Sequence, residues 1–271
     1  MTSDSMTWEA AIDAWLTALR AAGRPETTIR TQRQHVQQCA AQGGLPSPWV
    51  ATSASLLAYM GARDWVPETR HGHRTSLRGF YAWGVRAGYI ESSPAHELPS
   101  VRRTPPRPRP LPERLLTDAL RRADGRTRLM VRLAGEHGLR RGEVAAVHSR
   151  DVIVDLVGYS LVVHGKGGRE RVVPLADDVA RAILGARGHA FPGQVDGHVS
   201  PWWVGKLVGR VLPEGWTTHT LRHRFATRAY AIDHDVFSVQ ELLGHASAET
   251  TRRYVQLPDD AKRRLVAAVA A

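Results

Sequence analysis

Cysteine is almost missing from this chain: Cys39 is the single one. A lone thiol excludes an intramolecular disulfide and any multi-cysteine metal site, and it makes a reducing, cytoplasmic setting the default expectation. Long apolar runs are missing too. The longest are short stretches such as LVAAVAA at the C-terminal end, which is too little for a membrane span or a secretory hydrophobic region, so no membrane partner is expected. Lysine is scarce, with only Lys166, Lys206 and Lys262. Internal repeats are absent, and the only biased tract is a proline-rich one.

Positive charge is what the chain has in abundance. Lys and Arg number 37 against 26 Asp and Glu, a formal balance of +11 and a sequence pI near 10.7. A globular chain this basic is expected to meet a polyanion, nucleic acid first. Most of the basic residues are arginine, which suits bidentate phosphate contacts, although arginine-biased codons of a GC-rich genome account for most of the excess. With 271 residues, 42% apolar and 23% charged, the chain is long enough for two modest domains with real cores and is not a disordered polymer.

The stretch Pro99–Pro112, PSVRRTPPRPRPLP, holds six of the 16 prolines and no helix or strand pattern. It reads as an extended basic linker dividing residues 1–98 from 113–271. Before it, the periodicity is helical throughout. Trp8, Ile12, Trp15, Leu16 and Leu19 form one face. Thr27 and Thr28 open a second helix, Ser53 or Ser55 a third, and Thr69 to Val85 is a fourth with Leu77, Phe80, Tyr81 and Trp83 as its bulky side. These aromatics are expected in the core of a small all-α bundle. After the linker the pattern mixes. Leu115 to Ala123 and Arg128 to Glu136 are helical, the second closed by Gly138. DVIVD, YSLVVHG and RERVVPL read as three short strands, the last two joined by a turn on Gly165, Gly167 and Gly168. The remainder reads as helix: one opened by Ser200-Pro201, one by Thr218, and a short one with a Ser238–Glu241 capping box. The fold class expected is mainly α with a small β-sheet, α+β.

Five short segments of the second part carry reactive side chains: GLRRGE around Arg140, HGKGGRER around Lys166, HTLRHRFAT with His219 and Arg222, LLGH ending at His245, and TTRRY ending at Tyr254. Taken singly, each is weak. An arginine after a capping glycine is commonly just exposed, and a lysine in a glycine-rich hairpin is commonly a turn residue. His219 and Arg222, three apart, merely share a helix face. His219 and His223 have the i, i+4 spacing of a helical zinc pair, but Thr220 stands where a zincin carries its glutamate. His71 and His73 flank Gly72 with no further ligands arranged around them, so no metal is expected.

The order and spacing of the five segments are far more specific. Together they resemble the tyrosine recombinases, the phage-integrase family, whose motifs run Arg in a Gly-Leu-Arg turn, Lys in a β-hairpin, His-x-x-Arg on a helix, His or Trp after Leu-Gly, and then a nucleophilic Tyr. The string LLGHASAETTRRYV strengthens the likeness. The resemblance implies a helical core-binding domain followed by a mixed α/β catalytic domain, two halves that clamp duplex DNA, and a homo-tetramer on paired recombination sites that is a monomer or weak oligomer in free solution. It implies DNA cutting by Tyr254 to give a 3′-phosphotyrosyl ester, strand exchange through a four-way junction, and no ATP, metal or other cofactor. Localisation would be cytoplasmic, at the nucleoid when acting. Arg140 and Arg222 would fork the phosphate oxygens, His245 would add a hydrogen bond, His219 would be base or orienting group, and Lys166 would protonate the leaving oxygen. Glu143 matches the acidic residue that orients the first arginine, with an exposed helical Glu as the alternative. The phosphate contacts expected outside the centre are Arg30, Arg70 and Arg74 in the bundle and Arg102, Arg103, Arg107 and Arg109 in the linker. Because the bundle starts within about ten residues of Met1, a form without an arm-binding domain is expected. After Pro258, a short terminal helix through Leu265, Val266 and Val269 is expected to dock in cis or on a neighbouring protomer. A topoisomerase-like nicking-closing enzyme and an idle DNA-binding relative remain as alternatives.

Overall fold

In the computed structural model, residues 6–102, 109–165 and 168–244 are described. The chain divides into two compact units, 1–105 and 106–271. The division falls inside the proline-rich stretch, yet both ends of that stretch are anchored. Leu98 is buried in the first unit and Leu111 in the second, where its N–H donates to Thr220 O.

Four helices build the first unit: α1 (Trp8–Ala21), α2 (Glu26–Gln42), α3 (Ser53–Gly61) and α4 (Pro67–Arg86). Helix α1 is capped by Thr7 and buries Ala11, Ile12, Trp15 and Leu16. Helix α2 starts one residue before Thr27, behind Pro25, so both threonines sit inside its first turn rather than at its cap. The fixed φ of proline ends the preceding loop in a conformation that a helix can follow. Thr52 and Ser55 form the capping box of α3. The long α4 buries Leu77, Phe80 and Tyr81, and Phe80 meets Trp15 edge-on at 5.4 Å and Trp49 face-on at 5.6 Å. The aromatics are core, as expected. Gly84 lets Trp49 lie flat on α4, since a Cβ there would sit 2.6 Å from the ring.

The second unit opens with α5 (Glu113–Arg122) and α6 (Gly125–Gly135), the latter capped by Asp124. Gly138 follows two residues after the Glu136 C-cap, at φ +70°. A side chain there would strike the Phe225 ring at 2.5 Å. That left-handed turn delivers the chain into α7 (Arg141–Ala146). The three expected strands form one antiparallel sheet in the order β1 (Val152–Val154), β2 (Tyr159–His164), β3 (Glu170–Leu175), with Leu161 opposite Val173 and His164 opposite Glu170. Three elements go beyond those named from the sequence: α7, α8 (Asp177–Gly185), and a short extended piece, β4 (Pro192–Val195), outside the sheet.

Helices α9 (Pro201–Val211), α10 (Thr218–Asp233) and α11 (Val236–Leu243) complete the described part. The α11 cap differs from the expectation. Asp235, not Ser238, is the N-cap; it accepts the Phe237 N–H at 2.8 Å, and Ser238 Oγ turns back to donate to the same carboxylate. The carboxylate accepts from both donors at once, one on each oxygen. The fold is mainly helical with one small sheet. No helix among the described residues is long and apolar enough to cross a membrane.

Candidate active site

Four charged side chains and the last three carbonyls of α11 and its cap make the centre of the second unit. Arg140 stands at the N-cap of α7, where the Gly138 turn releases it. Glu143, three residues on, closes a box with it, accepting the Arg140 backbone N–H at 2.7 Å and Arg140 Nη1 at 2.8 Å. The Glu143 side chain is 6% exposed, which settles its environment: this carboxylate is not a solvated helical Glu. From β3, Arg171 approaches the same carboxylate as a two-pronged fork, Nη1 to Oε1 at 2.9 Å and Nη2 to Oε2 at 2.7 Å. Burial alone would push the Glu143 carboxyl up. The hydrogen bonds from Arg171 and from the Arg140 backbone, with Arg171's charge, overcome it and hold the group at about 2.

Arg222 comes from α10 and is 5% exposed. Its guanidinium donates to Gly138 O and, at 2.5 Å, to Leu243 O, and it lies 3.8 Å from Glu143. His219 lies one turn earlier, at the exposed start of α10, where its N–H is held by Thr217 Oγ1. The His223 ring packs behind it. Arg109 N–H donates to His223 Nδ1 at 3.3 Å, which leaves the neutral ring's proton on Nε2, facing His219 Nε2 at 2.9 Å. Burial first, then the neighbouring Arg222 and Arg140, holds His219 below the ordinary histidine value. Burial, His219 and Arg222 hold His223 at about 4.

The three arginines also share a second task. Arg171 Nε donates to Leu242 O at 2.7 Å, Arg222 Nη2 to Leu243 O, and Arg140 Nη2 to Gly244 O at 3.0 Å. Three successive carbonyls at the end of α11, which a helix leaves without intrahelical donors, are capped by three arginines from three other elements. Gly244 is itself left-handed at φ +59°, and a Cβ there would press on Arg171 Cδ at 3.0 Å.

Arg140, His219 and Arg222 line a cleft of about 960 Å³. Across it lies α9, with Pro201, Trp202 and Lys206. Lys206 Nζ sits 5.0 Å from the rings of both Trp202 and Trp203, and Trp202 is largely exposed. Arg140, Arg141, Lys206 and Arg222 give the cleft a positively charged lining.

Lys166, His245 and Tyr254 lie outside the described residues, as do Arg103, Arg107 and the segment after Pro258. The other arginines singled out in the sequence are accounted for individually. Arg70 donates to Met60 O and Arg63 O, both at 2.6 Å, tying α4 to the end of α3. Arg74 donates to Leu98 O at 3.0 Å. Both guanidiniums therefore have backbone partners within their own unit. Arg30 and Arg102 are exposed. Arg109 lies over the Trp216 ring at 4.3 Å and donates to Gly215 O. The residue that sequence reasoning missed is Arg171. In RERVVPL it is one strand position among others, and the only available signal was its place five residues after Lys166.

The model of the phage integrase family matches residues 113–190 and 203–260, half of the chain. The tyrosine recombinase XerC of Xanthomonas campestris pv. campestris is 32% identical over 230 residues, covering 76% of this chain and 70% of its own length. That of Chromobacterium violaceum is 30% identical over 274 residues, covering 91% and 90%. The chain belongs to the phage integrase family. It is a tyrosine recombinase, an enzyme of site-specific recombination. Solved structures carry the same fold. A lambda integrase dimer bound to a COC′ core site superposes with a TM-score of 0.74 at 18% identity, covering 93% of this integrase-family chain and 77% of that one. The XerH recombinase bound to a palindromic difH substrate gives 0.72 at 20% identity, covering 90% and 80%.

Proposed function

We propose that this recombinase binds double-stranded DNA at specific sites and cuts and rejoins it through a covalent 3′-phosphotyrosyl intermediate, with Tyr254 as nucleophile. The observation that carries the reading is the convergence of Arg140 and Arg222 on one buried carboxylate, Glu143, at the wall of a cationic cleft that also holds His219. Two guanidiniums fixed before the substrate arrives suit a phosphodiester, whose transition state gathers negative charge on its non-bridging oxygens.

The steps then follow from the residue types. The Tyr254 phenol attacks phosphorus, and its proton passes to His219, the base held neutral by its surroundings, or is oriented by it. Arg140 and Arg222 hold the oxygens as charge develops, with His245 as a further donor. Lys166 gives a proton to the departing 5′-oxygen, a role open to an ammonium but closed to a guanidinium. The phosphotyrosyl ester conserves the energy of the broken bond, so a 5′-hydroxyl of the partner strand regenerates the backbone without ATP. Strand exchange in a homo-tetramer, one pair of strands at a time through a four-way junction, completes the reaction. Among the relatives, a lambda integrase tetramer bound to a Holliday junction supports that assembly by analogy. The residues 1–98 serve as the core-binding domain and 113–271 as the catalytic domain, in the cytoplasm at the nucleoid.

The deciding experiment compares the wild-type chain with Tyr254→Phe. The probe is a duplex that the wild-type protein selects from a randomised pool, nicked so that religation is blocked. The wild type is expected to leave a denaturant-resistant protein–DNA adduct, and Tyr254→Phe to bind equally and leave none. An adduct from the Phe variant overturns the assignment of the nucleophile. Relaxation of plasmid lacking paired sites would point to a nicking-closing enzyme instead.

A further inference from the structure

Glu143 touches Arg140, but something must hold Glu143, and that group comes from a different part of the unit. A buried carboxylate costs free energy unless its lone pairs are filled. Four N–H groups fill them here: two belong to Arg140 and two to Arg171, on β3. Arg171 is 7% exposed in its side chain, and its third contact, Nε to Leu242 O at 2.7 Å, pins the guanidinium plane so that the fork meets both carboxylate oxygens squarely. Arg171 is set back from the cleft lining. Its reach to the phosphate is indirect: β3 fixes Arg171, Arg171 fixes the Glu143 carboxylate, and the carboxylate fixes the Arg140 guanidinium.

We propose that Arg171 is a positioning residue of the recombinase, acting on Arg140 through Glu143. The proposal rests on the reading of Arg140 as a phosphate ligand. It assigns β3 a second duty. The strand that follows Lys166 in the sequence also orients the first arginine, so β3 and the Gly-Leu-Arg turn are mechanically one piece. Lysine cannot replace Arg171, because a single ammonium cannot donate to both oxygens of Glu143 and to Leu242 O in this planar arrangement.

The test uses the full chain and the selected, nicked duplex described above, with adduct formation and duplex affinity measured separately. Arg171→Lys is expected to bind the duplex as the wild type does and to form the adduct about a hundred-fold more slowly, the cost of a small misplacement of a reacting group. The decisive arm is epistasis. In an Arg140→Ala background, Arg171→Lys is expected to cost nothing further, because residues that act as one unit are not additive. Normal cleavage by Arg171→Lys, or the same additional loss in both backgrounds, overturns the proposal and leaves the recombinase reading standing. Absence of any adduct from the wild type overturns that reading, and the proposal with it. Should Arg171→Lys fail to fold, the double variant Glu143→Gln, Arg171→Gln removes both buried charges together. It is expected to bind DNA and show the same rate loss, and wild-type cleavage by it would refute the positioning role.

Discussion

His223 faces His219 across one turn of α10, Nε2 to Nε2 at 2.9 Å, and the Arg109 N–H behind it fixes which ring carries the proton between them. The pair is therefore built to be neutral, since protonating both rings would set two donors against each other. Burial and the flanking Arg222 and Arg140 lower His219 from the ordinary value of 6.5. The rate of adduct formation is expected to stay level as pH falls from about 8 to the ordinary histidine range near 6.5 and to decline only below it. A rate still climbing through neutral pH would mean that His219 titrates normally.

Stability has its own acid limb. His73 lies flat on Trp65 at 3.9 Å and against His35 at 4.1 Å; burial first, then His35 and Arg63, hold it at about 4. The unfolded chain takes up this proton below about pH 6.5 and the folded chain only near 4. Stability is therefore unaffected above the window and is lost as pH falls through it, by up to about 3 kcal/mol. Urea unfolding of His73→Phe and of the wild type at pH 7.5 and at pH 5 checks this. The variant is expected to lose less stability between the two, and equal losses would remove His73 from the account.

Gly138 is expected to tolerate no side chain. Its left-handed φ and the Phe225 ring at 2.5 Å from a Cβ position both act against Gly138→Ala. A cost of about 2 kcal/mol or more is expected from the backbone alone plus overpacking, together with loss of cleavage, because the turn aims Arg140. Thermal melts of Gly138→Ala with and without Phe225→Leu separate the terms. The second substitution should recover the steric part and leave the backbone part.

The Cys39 thiol is buried in the first unit, and burial pushes it up to about 12, against a smaller pull from Arg63. It is expected to ignore a disulfide reagent at neutral pH until the protein unfolds. Its labelling rate then reports opening of the first unit alone. Rapid labelling in native buffer would contradict the packing of α2.

Arg140, His219 and Arg222 were legible only together, because each local motif is weak alone and the order of the five segments along the chain carried the resemblance. Glu143 was legible by its three-residue offset, but its burial was not. That depends on Arg171, which is 28 positions away in sequence and comes close only when β3 pairs with β2. The Asp235 cap was misread for a related reason. Ser238 and Glu241 form the right sequence pattern, but the helix already starts at Val236 behind the Asp235 carboxylate, so both lie inside it. Helix α8 escaped because its N-cap, Ala176, offers no capping side chain as a start signal, and the piece β4 because it pairs with no strand of the sheet. A sequence gives the charge of Arg70 and Arg74 but not the carbonyls of Met60, Arg63 and Leu98 that their guanidiniums reach.

The end of α11 can be seen as a resident anion. A helix C-terminus carries roughly half a negative charge, and here Leu242 O, Leu243 O and Gly244 O gather three guanidiniums around it. In the absence of DNA, the recombinase therefore does not confront the mutual repulsion of a bare arginine cluster. The side-chain freedom that Arg140 and Arg222 would lose on gripping a phosphate, in the proposed reading, is already lost when the protein folds. In the proposed reading, an incoming phosphate would meet guanidiniums already held by partners within the protein.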